Sequence, residues 1–244
     1  MASGGWRALA AALIAAVPLP ICAAEIAATV LGEDIPRSAL PAPEGGPERA
    51  RKLLELAWPR LARHFIEENG LAATAAEIAE VARYHREFER RDRAQRARKL
   101  EELERRLAAG GLDEEERRRL EAFRAVLARL ARRDAEDDAL PAPDPAEKAA
   151  RHAHEVEAWK LDRALYERYG GVVALSPSGA SPHGARAALI AEYERRGLLR
   201  FPDARLRSSV YALLETRPAT VLPPEQVDFT PYWRRPIPPS YYPD

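Results

Sequence analysis

Five histidines are the first place to look for chemistry in this chain: His64, His85, His152, His154 and His183. On a helix His152 and His154 point to different faces and cannot hold one metal ion together. His152 and Glu155 stand three residues apart and share a helical face, but a single pair is a weak metal signal. His85 lies on an apolar stripe, where a hydrogen-bonded core histidine is the ordinary reading. The loop 176–183, S-P-S-G-A-S-P-H, sets Ser176, Ser178 and Ser181 near His183. Ser and His are the residue types of a hydrolase's nucleophile–base pair, a conceivable but less favoured reading of this loop. The same Ser residues serve as caps in Pro- and Gly-rich turns, and no orienting acid stands nearby in the sequence. No H-E-x-x-H, G-x-S-x-G or phosphate-binding Gly loop occurs. The residues therefore point to no catalytic set, no metal centre and no cofactor.

Charge removes further classes. Lys and Arg number 38, as do Asp and Glu, so the formal net charge is zero and no general basic field invites nucleic acid. Acidic residues are interleaved with the Arg-rich run 86–99, which makes it a solvated helix face rather than a phosphate site. The one cysteine is Cys22. Residues 1–24 pair Arg7 with an apolar run over 8–17, then Pro18, Pro20 and small residues. This is the pattern of a secretory signal, with cleavage expected after Ala24. The run is shorter than the ~20 residues that span a bilayer. Export to a bacterial periplasm is expected, and a mature chain without cysteine relies on packing for stability.

The elements that would position side chains are mostly helices. Residues 28–35 alternate weakly and form a first strand candidate. Leu53, Leu54, Ala57, Leu61 and Phe65 recur at helical spacing over 48–69, with Pro59 expected to kink or split that helix. Thr74-Ala-Ala-Glu77 is a capping box before a long helix over 78–109. Gly110-Gly111 ends it and Asp113 caps the next. Leu100, Leu103 and Leu107 on one side and Leu120, Phe123, Leu127 and Leu130 on the other predict an antiparallel helical hairpin over 95–133, protruding as an arm. Residues 134–145, acidic and Pro-rich, read as an extended linker. Asp144-Pro145 starts a helix to about Tyr169. Residues 172–175 are a second strand candidate, Ser181-Pro182 starts another helix, and Asp203 a last short one. The tail, 218–244, is too Pro-rich for regular structure. Its aromatics are costly to leave in water, so it is expected to lie along the body. Tyr232, Trp233, Tyr241 and Tyr242 are the candidates for docking a partner, as Trp, Tyr and Arg suit interface hot spots.

Three stretches carry a resemblance. Residues 25–40, E-I-A-A-T-V-L-G-E-D-I-P-R-S-A-L, resemble the opening of SurA-type periplasmic chaperones and parvulin foldases, with Leu31 where that turn has Asn. The step G-L-A-A-T-A-A-E-I at 70–78 is similar to a helix–link–helix step of the same family. W-K-L-D-R-A-L-Y-E-R-Y-G-G-V-V-A-L at 159–175 looks like the C-terminal helix and returning strand of SurA-N-like proteins. The resemblance implies a mainly α fold: a SurA-N-like helical domain over 25–134, helices over 146–217 packed back on it, and a two-stranded β element pairing 172–175 with 27–30. It implies no isomerase activity, since the parvulin peptidylprolyl isomerase domain has no room in residues 134–145. It also implies a chaperone function in protein folding, binding unfolded or extended polypeptide, outer-membrane proteins among the clients. Leu61, Phe65, Phe88, Trp159 and Tyr166 would line the peptide-binding groove between the N-terminal helices and the C-terminal helix.

Overall fold

The structure, a computed structural model, describes residues 26–42, 46–176, 179–216, 218, 220–238 and 242. The expected signal segment lies outside the described residues, as does Tyr241. The chain is mainly helical, with small antiparallel sheets.

β1 (Ile26–Val30) and β2 (Glu33–Pro36) form a hairpin across Leu31-Gly32. Both turn residues have positive φ, 53° and 85°. Such a two-residue turn matches strand twist and favours Asn-Gly, so Leu31 holds a conformation that Asn adopts more readily. The Leu31 amide donates to Leu198 O at 2.7 Å, bringing the turn onto the C-terminal half.

α1 (Pro47–Glu68) runs unbroken through Pro59. Pro59 is exposed, so the carbonyl it leaves unbonded can face water, and the expected split does not occur. α1 buries Leu53, Ala57, Leu61 and Phe65 against β1 and the later helices. Each such large side chain contributes about 1.5–3 kcal/mol relative to exposure.

α2 (Ala75–Ala109) starts at the expected capping box. Thr74 Oγ1 accepts from the Glu77 amide, and the Glu77 carboxylate accepts from the Thr74 amide. α3 (Glu114–Ala139), capped by Asp113, lies antiparallel to α2, and Leu103, Leu120 and Leu127 form the buried seam. Leu130, expected in that seam, stays 38% exposed.

The linker is shorter than the composition suggests. Residues 134–139 are helical, because their acids face arginines of α2. Asp134 pairs with Arg96 at 3.1 Å and Asp138 with Arg93 at 2.6 Å. Without those arginines, acids in the last turn of α3 would oppose the helix dipole.

α4 (Pro145–Tyr169) is capped by Asp144 and lies antiparallel to α2: Lys160 meets Glu77 while Glu155 meets His85. β3 (Val172–Ser176) and β4 (Gly179–His183) form a second hairpin. The helix expected from Ser181-Pro182 starts later, at Ala185 (α5, Ala185–Arg195), after Gly184 turns the chain at φ 86°. Pro182 sits instead on β4, an edge strand, where a missing N–H is tolerated.

β5 (Leu199–Arg200) pairs with β1, α6 (Ala204–Leu214) follows, and β6 (Val221–Leu222) pairs with β3. The expected pairing of 172–175 with 27–30 is therefore corrected. Both edges of β1 are taken by β2 and β5, and both edges of β3 by β4 and β6. The N-terminal strand does join the C-terminal half, but through β5. Arg37–Asp203 at 2.9 Å reinforces that joint. β6 also gives the start of the tail regular structure, in a stretch that precedes most of its prolines.

Candidate functional site

The residues with the richest chemistry converge on the cleft between α2 and α4, over which the tail is laid. Asp228 to Arg235 form its central piece. Arg235 donates to Thr230 O at 3.0 Å and pairs with Asp228 at 3.0 Å, fixing the bend of the segment. Pro231 then leads into a single 3-10 turn, Tyr232–Arg234.

Aromatic insertion holds the segment. Trp233 is buried with Val81 of α2 and Val156 of α4, with Tyr84 and Trp159 around them. Trp159 and Trp233 meet edge to face at 5.7 Å, and Tyr84 and Tyr232 at 5.2 Å. These geometries suit the aromatic quadrupole. Phe229 packs on Tyr166 at 5.1 Å. Trp159 Nε1 donates to Phe229 O at 2.5 Å, and Arg234 pairs with Glu80 at 3.0 Å. A cavity of about 180 Å³ stays open beside the tail, walled by Trp159, Asp162, Ala180 and Phe229 among others.

A half-buried polar cluster sits in this cleft. His85 comes from α2, His152 and Glu155 from one face of α4, and Tyr232 from the tail. His85 Nε2 lies 3.0 Å from Glu155 Oε2 and 2.9 Å from the Tyr232 hydroxyl. The Tyr232 hydroxyl donates to the same Glu155 oxygen. The imidazoles of His85 and His152 stack at 5.2 Å. Burial opposes ionisation of Glu155, but the bonds from Tyr232 and His85 outweigh it, so its carboxyl titrates below the usual value. Burial and the bond to Glu155 push the Tyr232 phenol well above its ordinary range.

The sequence candidates fall into distinct environments. Leu61 and Phe65 are sealed in the main core at 0% and 1% exposure and line no open groove. Phe88 is half-buried and stacks on Tyr84 at 6.2 Å. Trp159 does face the α2–α4 cleft, but under the tail, and Tyr166, further along α4, packs on the tail's Phe229. Tyr232 and Trp233 are the tail's inserted side chains. Tyr242 reaches the arm instead, donating to Asp92 at 2.8 Å and lying 6.5 Å from Phe123.

The loop carrying Ser176 and His183 is a β-hairpin. The side chain of Ser176 and all of Ser178 lie outside the described residues. Ser181 hydrogen-bonds Asp162, whose carboxyl burial pushes up against the pull of Arg186. His183 Nε2 is enclosed without a hydrogen-bond partner. Among the described residues no hydroxyl is bonded to it, so Ser181 and His183 do not form the nucleophile–base contact of a hydrolase.

Sequence reasoning missed the His85–Glu155–Tyr232 meeting, because its members come from three separate segments. The available signal was His152 and Glu155 at i, i+3, which becomes informative only once α2 is known to lie opposite.

No protein-family model, no curated protein and no solved structure matches the chain.

Proposed function

We propose that the chain is a polypeptide-binding protein of the chaperone type, working in the periplasm, whose acceptor is the cleft between α2 and α4. One observation carries this reading: a Pro- and aromatic-rich stretch of the chain itself, irregular apart from one 3-10 turn, lies in that cleft. It is held by a main-chain acceptor, Phe229 O on Trp159, and by inserted aromatic rings. Those are the means by which a groove takes an extended segment with little sequence preference. The tail acts as a stand-in client, and an outside chain competes with it. Unfolded outer-membrane proteins, extended and rich in alternating aromatics, are the proposed clients. The periplasmic setting rests on the signal pattern of residues 1–24 and the SurA-type resemblance of residues 25–40, 70–78 and 159–175.

Docking of a partner through the tail fits less well, since Trp233 is 93% enclosed against this chain's own helices (7% exposed). The test is suppression of aggregation of an unfolded outer-membrane protein. The reading expects suppression by the chain that strengthens in Trp233→Ala. Undiminished aggregation at several-fold excess of both proteins would exclude it.

A further inference from the structure

The cluster under the tail contains a donor set that the polypeptide-binding reading does not use. His85, His152 and Glu155 each offer one ligand atom, and these atoms all lie within 4.8 Å of one another. Ligands around a tetrahedral ion at ~2.0–2.2 Å stand roughly 3.3–3.5 Å apart. His85 Nε2 lies 3.0 Å from Glu155 Oε2 and His152 Nδ1 3.5 Å from the other oxygen, Oε1, so the two imidazoles approach the carboxylate from its two sides at about that spacing.

We propose that His85, His152 and Glu155 bind one divalent transition-metal ion of zinc's chemistry, with the Tyr232 hydroxyl beside it. A second observation points the same way. His152 Nδ1 is enclosed and makes no well-formed hydrogen bond, its polar neighbour being Glu155 Oε1 at the long distance of 3.5 Å. An enclosed nitrogen so weakly bonded is costly, and an ion between it and Glu155 Oε1 would give it a full partner. The two imidazoles and one carboxylate are the ligand types of three-protein-ligand zinc sites, which keep a fourth position open. They favour Zn²⁺, Ni²⁺ or Cu²⁺ over the oxygen-seeking Mg²⁺ and Ca²⁺.

The arrangement is built on rigid elements. His152 and Glu155 are fixed at i, i+3 on α4. Lys160, which pairs with Glu77 at 2.7 Å and donates to Ala72 O at 3.0 Å, holds α4 against α2, which delivers His85. Bound metal therefore ties α2 to α4 within the cleft. Because Tyr232 bonds both His85 and Glu155, it also senses whether the ion is there.

The test uses the full chain after chelator treatment, titrated with Co²⁺ and then Zn²⁺. The proposal expects one equivalent of Co²⁺, visible absorption bands of a low-symmetry four-coordinate ion, and their loss on adding one equivalent of Zn²⁺. His85→Ala and His152→Ala should each weaken binding more than ~100-fold, beyond the 10–100-fold typical of losing an outer-shell partner. His154→Ala and His64→Ala should bind as the parent does. If circular dichroism shows His152→Ala unfolded, His152→Gln, which keeps a polar side chain there, carries the comparison. Binding below one equivalent, or binding unchanged in a folded His152 variant, overturns the proposal. The result is independent of the aggregation assay, so either reading can fail alone.

Discussion

Trp159 Nε1 donates to the carbonyl oxygen of Phe229 across 2.5 Å, joining α4 to a tail segment seventy residues further along. The bond anchors the main chain rather than a side chain, so it does not depend on the identity of residue 229. Trp159→Phe keeps a ring in the cleft and removes the donor. The loss of one such bond costs about 1 kcal/mol. Amide hydrogen exchange over residues 228–235 should speed up roughly fivefold, with exchange in α1 unchanged.

Glu192 and Glu194 should make the C-terminal helices acid-labile. Burial works against ionisation of both. Bonds from Tyr169 and Arg168 to Glu192, and from Arg207 and Tyr211 to Glu194, outweigh it and lower both carboxyls below 4.5. For a depressed carboxyl, stability is fully present above the unfolded value and is lost as pH falls through the folded one. Melting temperature should stay level from neutrality to roughly pH 5 and drop below it. In the Glu192→Gln/Glu194→Gln double variant the neutral-pH melting temperature should be lower and the acid drop shallower.

Gly171 joins α4 to β3 at φ 98°, and a Cβ there would meet His183 O at 3.1 Å. Gly171→Ala therefore adds both backbone strain and a close approach to fixed main chain. Destabilisation of about 1–3 kcal/mol is expected. Urea denaturation checks it, and a midpoint equal to that of the parent would show that the hairpin adapts.

These positions also show which features can be read from residues alone. Thr74 with Glu77, Asp113 and Asp144-Pro145 announce helix starts because a cap is completed within three residues, and all of them hold. The Leu seam of the arm is legible for the same reason: its period is local. Strand pairing is not. Val173 and Ala28 both suit a strand, and nothing within either segment says that β4 and β6 fill the edges of one and β2 and β5 those of the other. The acidic stretch at 134–139 reads as linker until Arg93 and Arg96 are seen opposite it. The tail's burial follows from its aromatic content. Its seat between Val81 and Val156 does not, since two long helices offer many apolar stretches.

The arm should fail separately from the body. Leu127 is 1% exposed in a seam formed with Leu103 and Leu120. Leu127→Ala should cost about 2–5 kcal/mol locally. Hydrogen exchange should rise across 113–133, while the fluorescence of Trp159 and Trp233 in the cleft stays as in the parent. A change in that fluorescence would mean that the arm and cleft are one cooperative unit.

The central claim is that the α2–α4 cleft takes extended polypeptide and that the tail holds the place of a client. The most direct measurement is fluorescence anisotropy of a labelled peptide carrying residues 228–238, titrated with the full chain and with Trp233→Ala. Removing the buried indole loosens the resident tail, so the variant should bind the peptide clearly more tightly than the parent, and unlabelled unfolded outer-membrane protein should displace it. A peptide that binds neither protein, with Trp233→Ala still folded, would contradict the account.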